Sequence, residues 1–234
     1  MSIRENIAEI RRRIDEAARE TGRTGADITL VGASKMNDAD ACRQAIAAGI
    51  DVLGENRVQE MVAKLAENAY DGAPLHFIGH LQRNKVKQVV GKAALIQSAG
   101  SVELLDEIEK QAEKLDIVQD ILLEVNIGGE ESKTGVAPEA LWAVEAAAAH
   151  AKELPHVQVR GLMTIPPAGA ARDENMVYFE KVHALYVDIN QKMYNNELDY
   201  LSMGMSGDFA DAIRAGSNMV RVGTAIFGAR DYTK

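Results

Sequence analysis

Cysteine is almost missing from this chain: Cys42 is the only one in 234 residues, so neither an intrachain disulfide nor a thiolate metal cluster can form. Positive charge is also short, 26 Lys and Arg against 35 Asp and Glu, and the net charge of -9 repels nucleic acid and anionic membrane surfaces. A small anionic ligand therefore needs a local site. No apolar run approaches the length of a membrane span. Met1-Ser2-Ile3-Arg4-Glu5 is charged from the outset and lacks the apolar core of a secretory signal, so the cytoplasm is the expected compartment. Low-complexity linkers, charge blocks and shifts of composition are absent, and one domain over residues 1–234 is expected, as a monomer.

What is present is an alternation. Ile3, Ile7, Ile10 and Ile14 recur at helical spacing, with charged residues between them, giving an amphipathic helix that ends near Gly22 and Gly25. Thr29-Leu30-Val31-Gly32-Ala33-Ser34-Lys35 follows, too short for an ordinary helix and composed like a buried strand. Seven further strands are expected at Ile50–Asn56, Leu75–Gly79, Ala94–Ser98, Ile121–Asn126, within Val157–Ile165, at Leu201–Met205 and at Met219–Val222. Helices are expected between them at Asp38–Ala48, around Val58–Leu65, at Asn84–Val90, from Ser101 through Leu115, from Pro138 after the Gly128, Gly129 and Gly135 loop to His150, along Met176–Ile189, and at Phe209–Ala215. Eight strands alternating with helices in a chain of this length point to a single α/β (β/α)₈ TIM-like barrel with one extra N-terminal helix. An open doubly wound sheet is the competing architecture, because periodicity does not report closure.

Barrels of this kind bind ligands where the C-terminal ends of the strands converge. The residues placed there are Lys35, Asn56, His80, Ser98, Asn126, Ser206, Arg221, Gly223 and Thr224. A lysine at a strand end near apolar surroundings can serve as an amine nucleophile toward an aldehyde, although most lysines so placed only let the charged tip reach water. Met205-Ser206-Gly207-Asp208 and Arg221-Val222-Gly223-Thr224 each put a hydroxyl and a glycine between a strand and a turn, where backbone amides attract an anion; ordinary helix N-caps are the plainer reading. Strand alternation puts Arg221 and Gly223 on one face, which suits either an acidic partner inside the barrel or a ligand contact. Lys133-Thr134-Gly135 lacks its Ser-x-x-Lys companion, His76 and His80 are four apart on a strand rather than a helix, and no dinucleotide fingerprint or nucleophile elbow is found.

An amine on strand one and a phosphate cradle after strands seven and eight together suit pyridoxal phosphate. Ala33-Ser34-Lys35, Gly54-Glu55-Asn56-Arg57-Val58-Gln59-Glu60, the run His76 to Lys85, Arg160-Gly161-Leu162-Met163, Ser202-Met203-Gly204-Met205-Ser206 and the run Met219 to Gly228 resemble the pyridoxal phosphate homeostasis protein family, which has the barrel of the alanine racemase N-terminal domain. The resemblance implies that Lys35 carries pyridoxal 5'-phosphate as an aldimine, with Asn56 beside it, Ser206, Gly207, Gly223 and Thr224 on the phosphate, and Arg221 facing the pyridine nitrogen. It implies a cofactor-binding protein of vitamin B6 homeostasis, without expected turnover, whose partners include apo enzymes that use the cofactor. The alternative is an amino-acid racemase using Lys35 as one base; that chemistry needs a second acid or base on the opposite face, and related racemases bring it with an extra domain for which Lys234, six residues after Gly228, leaves no room. No metal is expected.

Overall fold

The computed structural model describes residues 1–126, 141–167 and 172–228. Eight parallel strands close on themselves: β1 (Thr29–Ala33), β2 (Val52–Glu55), β3 (Leu75–Phe77), β4 (Leu95–Ala99), β5 (Gln119–Val125), β6 (Val157–Thr164), β7 (Tyr200–Ser202) and β8 (Met219–Val222). Pairing of β1 with β8, Val31 opposite Arg221, is the closure that an open sheet lacks. The helices are α1 (Ile3–Arg19), α2 (Ala39–Ala47), α3 (Val58–Ala66), α4 (Val102–Leu115), α5 (Leu141–Lys152), α6 (Arg172–Met193), α7 (Phe209–Arg214) and α8 (Thr224–Phe227). Among these described residues no helix is long and apolar enough to cross a membrane.

Ser2 starts α1 with a reciprocal cap: its hydroxyl accepts from the Glu5 amide at 3.2 Å while the Glu5 carboxylate accepts from the Ser2 amide at 2.8 Å. Ile7, Ile10, Ile14, Ala17 and Ala18 form the buried face. That face lies against α7, α8 and α2, so the extra helix fills the place in the outer ring that the four-residue α8 leaves open. Strands buried on both faces divide the apolar residues into two sets. The larger joins helices to the outside of the barrel, and Val31, Val52, Leu95, Leu122, Met163 and Met219 pack within it.

Several boundaries differ from those the periodicity suggests. β1 stops at Ala33, where its ladder with Gly54 ends, so Lys35 stands in a turn two residues beyond the strand. β3 and β7 are three residues long and end before Gly79 and Met205. The basic segment is a 3₁₀ helix over Arg83–Gln88 instead of an α-helix at Asn84–Val90, and α8 was not expected. Gly128, Gly129, Lys133, Thr134, Gly135 and Pro138 lie outside the described residues.

Candidate functional site

A cavity of about 450 Å³ opens at the C-terminal mouth of the barrel and gathers all seven residues expected to hold a ligand: Lys35, Asn56, Ser206, Gly207, Arg221, Gly223 and Thr224. His80, Glu124 and Ile165 are also in its wall, whereas Ser98 and Asn126 do not line it. His76 points elsewhere, into the barrel, and no group of three or more metal-binding side chains exists among the described residues.

The turn bearing Lys35 is tied at several points. The Ser34 amide donates to Gly54 O at 3.0 Å, the Asn37 amide to Ser34 O at 3.1 Å, and Asn37 Nδ2 to Lys35 O at 3.0 Å. Asn56 follows β2 directly, and Gly79 holds its backbone in place. A Cβ on Gly79 would lie 2.2 Å from Asn56 O, so only glycine permits that approach. Asn56 Oδ1 is buried in the protein without a hydrogen-bond partner, the condition of an atom kept for a ligand.

Across the cavity, the loops after β7 and β8 are stitched together by Ser206. Its Oγ accepts from the Gly223 amide at 3.2 Å and the Ala225 amide at 3.4 Å, which leaves its own O–H to donate into the cavity. Ser206 thus caps α8 from a distant loop. Asp208 does not cap α7 with its side chain; it accepts from the Met205 amide at 2.6 Å and folds the loop back, and burial raises its pKa against that bond. A Cβ on Gly207 would meet nothing within 4 Å, so this rim is open to a ligand.

Arg221 forms the floor. It is only 4% exposed, and burial brings its pKa down to about 10, opposed by the charges of Glu124 and Asp208. Nη1 donates to Ser202 Oγ and Nη2 to Thr164 O at 2.8 Å, both neutral acceptors. Beneath it a polar chain crosses the barrel: Ser202 Oγ donates to Gln97 Oε1 at 2.7 Å, and Gln97 Nε2 meets His76 Nδ1 at 3.0 Å. The expectations from sequence include neither this chain nor Glu124. Strand alternation carried the signal, since Gln97 shares a face with Leu95 and Arg221 with Met219, both packed inside the barrel.

A larger cleft of about 640 Å³ runs between α1, α6 and α7. Of its arginines, Arg172 pairs with Asp211, Arg214 pairs with Glu20 and Asp211, and Arg13 lies over the Phe209 ring, 4.7 Å from its centroid. The barrel mouth is different in kind: an amine, a donor-only cation and a rim of amides and hydroxyls converge there, the chemistry of a ligand with both a carbonyl and an anionic group.

Residues 2–231 match the family described as alanine racemase, N-terminal domain. The chain is 44% identical over 232 residues to the pyridoxal phosphate homeostasis protein of Aquifex aeolicus, covering 99% of this chain and 100% of that protein. With the protein of the same name from Pseudomonas aeruginosa it is 40% identical over 231 residues, 99% of this chain and 97% of the other. Among solved structures, PipY of Synechococcus elongatus PCC7942 with PLP bound superposes with a TM-score of 0.83 at 31% identity, covering 97% of this chain and all of that one (100%).

Proposed function

The chain belongs to the alanine racemase N-terminal domain family and, within it, to the pyridoxal phosphate homeostasis proteins, and from that premise we propose that its barrel mouth holds pyridoxal 5'-phosphate, buffering or delivering it in vitamin B6 homeostasis rather than turning over a substrate. The observation that carries this reading is the convergence of Lys35, Arg221 and the Ser206–Thr224 rim on one cavity. The unpartnered Asn56 Oδ1 and the open rim at Gly207 fit a ligand with polar edges and a phosphate. When bound, the cofactor supplies an aldehyde that condenses with an amine.

Lys35 is the amine, on a turn fixed by Gly54 and Asn37. Ser206, Gly207, Gly223 and Thr224 hold the phosphate, the serine and threonine with hydroxyls and the glycines by letting it approach the backbone, and Asn56 orients the ligand's edge. Arg221 only donates, so a pyridine nitrogen facing it is held unprotonated, which weakens the electron sink that enzyme chemistry draws on. A racemase needs an acid or base on each face of the substrate carbon. Solvent deuterium entering amino-acid α-positions, and ceasing to do so in Lys35→Ala, is the result that favours that second reading. The protein acts in this proposal as a single-domain monomer of the cytoplasm, handing the cofactor to apo enzymes.

The visible spectrum and intact mass after borohydride reduction test the site. Wild type gains the mass of the reduced cofactor on Lys35, and Lys35→Ala does not. An equal adduct in both proteins overturns the assignment.

A further inference from the structure

Behind the turn that carries Lys35 lies a buried ionic cluster that the pocket does not use. Lys64, on α3, is 5% exposed, an unusual place for a lysine. An ammonium has three N–H groups, and all three are spent: on Ser34 O at 2.8 Å, Glu55 Oε1 at 2.5 Å and Glu60 Oε1 at 2.9 Å. Glu55 is tied again by the Ser34 hydroxyl at 2.6 Å. Glu60 Oε1 accepts a further bond, from the amide of Met36.

The geometry of these bonds is specific to residue 35. Ser34 O belongs to the peptide group before Lys35, and the Met36 amide to the one after it. Lys64 therefore grips one flank of the lysine and Glu60 the other, from positions one helical turn apart on α3. The grip has a strained segment to hold, since Met36 has φ +62°, a conformation that residues with a Cβ rarely adopt. Burial alone pulls the Lys64 pKa down, but its carboxylate partners raise it above the ordinary lysine value, so the charged form that makes all three bonds is the one kept.

We propose that Glu60 and Lys64 are positioning residues: together they clamp the two peptide groups flanking Lys35 and set the amine in the orientation that captures pyridoxal 5'-phosphate. The inference rests on the function proposed above. Its mechanism is pre-organisation, because a turn already fixed loses less entropy when the ligand is captured.

A double-mutant cycle between Glu60 and Lys35 tests it, with pyridoxal 5'-phosphate affinity measured by equilibrium titration and the adduct located by borohydride trapping and peptide mass. Glu60→Met keeps the length of the side chain but not the acceptor, and in the Lys35 protein it weakens affinity by at least about tenfold, the scale of one hydrogen bond to a charged group. In the Lys35→Ala background, where only the phosphate cradle binds, the same change costs no more than about twofold, as for independent sites. Glu60→Gln retains an oxygen for the Met36 amide and restores most of the affinity. Equal losses in both backgrounds, or no loss in the Lys35 protein, overturn the clamp. Should circular dichroism show Glu60→Met unfolded, Glu60→Ala replaces it in the same cycle. A wild type without an adduct on Lys35 sinks the proposed function and the clamp with it, whereas a normal wild-type adduct with equal losses sinks the clamp alone.

Discussion

Ser202 stands beneath Arg221, accepting a hydrogen bond from Nη1 while its own proton goes to Gln97 Oε1 at 2.7 Å. Because a guanidinium only donates, the direction of every proton in this chain is set from the arginine downward. Ser202→Ala leaves a buried charged N–H without an acceptor and costs about 1–3 kcal/mol. For a chain of this size each kcal/mol moves Tm by about 2–4 °C, so calorimetry reads a fall of several degrees. A variant as stable as wild type means that the serine does not satisfy Arg221.

The same chain ends on His76, whose Nδ1 receives the Gln97 amide because Gln97 Oε1 is engaged by Ser202. Burial pushes the His76 pKa down to about 4 from 6.5. Between those values the unfolded chain binds the proton and the folded one does not, so the stability is fully present above pH 6.5 and lost as pH falls toward 4, about 3 kcal/mol in all. His76→Gln removes this component. Urea midpoints at pH 7.5 and 4.5 should fall less in the variant than in wild type, and parallel falls refute the assignment.

The barrel was legible because each strand is an apolar run bounded by turn residues, and β8 lies where its run predicts, Met219–Val222. That these seven candidate residues line one cavity was legible for a related reason: in a barrel, whatever follows a strand is delivered to one mouth. α8 escaped, since Thr224–Phe227 is one turn and carries no period. The interior chain escaped because Ser202 and Gln97 are 105 residues apart, and single polar residues at inward positions look like any others. Lys64 is the clearest case. With Glu60 four residues before it, the pair reads as a solvent-exposed helical ion pair. Only the pairing of β1 with β2 beneath α3 lays Ser34 and Glu55 over it and takes it out of water.

Gly79 offers a sharper test of how Asn56 is placed. A methyl at position 79 meets Asn56 O at 2.2 Å and Asn56 Cα at 2.5 Å, and both are backbone atoms that no rotamer change can move. Gly79→Ala must displace the loop after β2, with a cost of about 1–3 kcal/mol or more. The expected pattern is a lower urea midpoint together with weaker ligand binding, while Gly207→Ala, where nothing lies within 4 Å, leaves the midpoint unchanged. If the two substitutions destabilise equally, the close approach at Gly79 is not what fixes Asn56.

The Lys64 cluster predicts that the cost of losing the lysine depends on pH. Lys64→Met strands the Glu55 carboxylate, which is 0% exposed, and leaves Ser34 O with the Asn37 amide as its donor. Breaking a buried pair from one side costs about 3–5 kcal/mol. Burial already holds the Glu55 pKa above the usual carboxylate value with Lys64 pulling against it, and without the ammonium only the upward push remains. A carboxyl whose folded pKa lies above its unfolded one is stabilised by protonation, so Lys64→Met, relative to wild type, gains stability as pH falls from neutrality through the acid range. Adding Glu55→Gln removes the stranded charge, and the double variant should be more stable at neutral pH than Lys64→Met alone and should lose this pH dependence. Denaturant titrations of the three proteins at pH 7.5 and 5.5 decide it: if Glu55→Gln adds its own loss to that of Lys64→Met, Glu55 is not the charge that Lys64 neutralises.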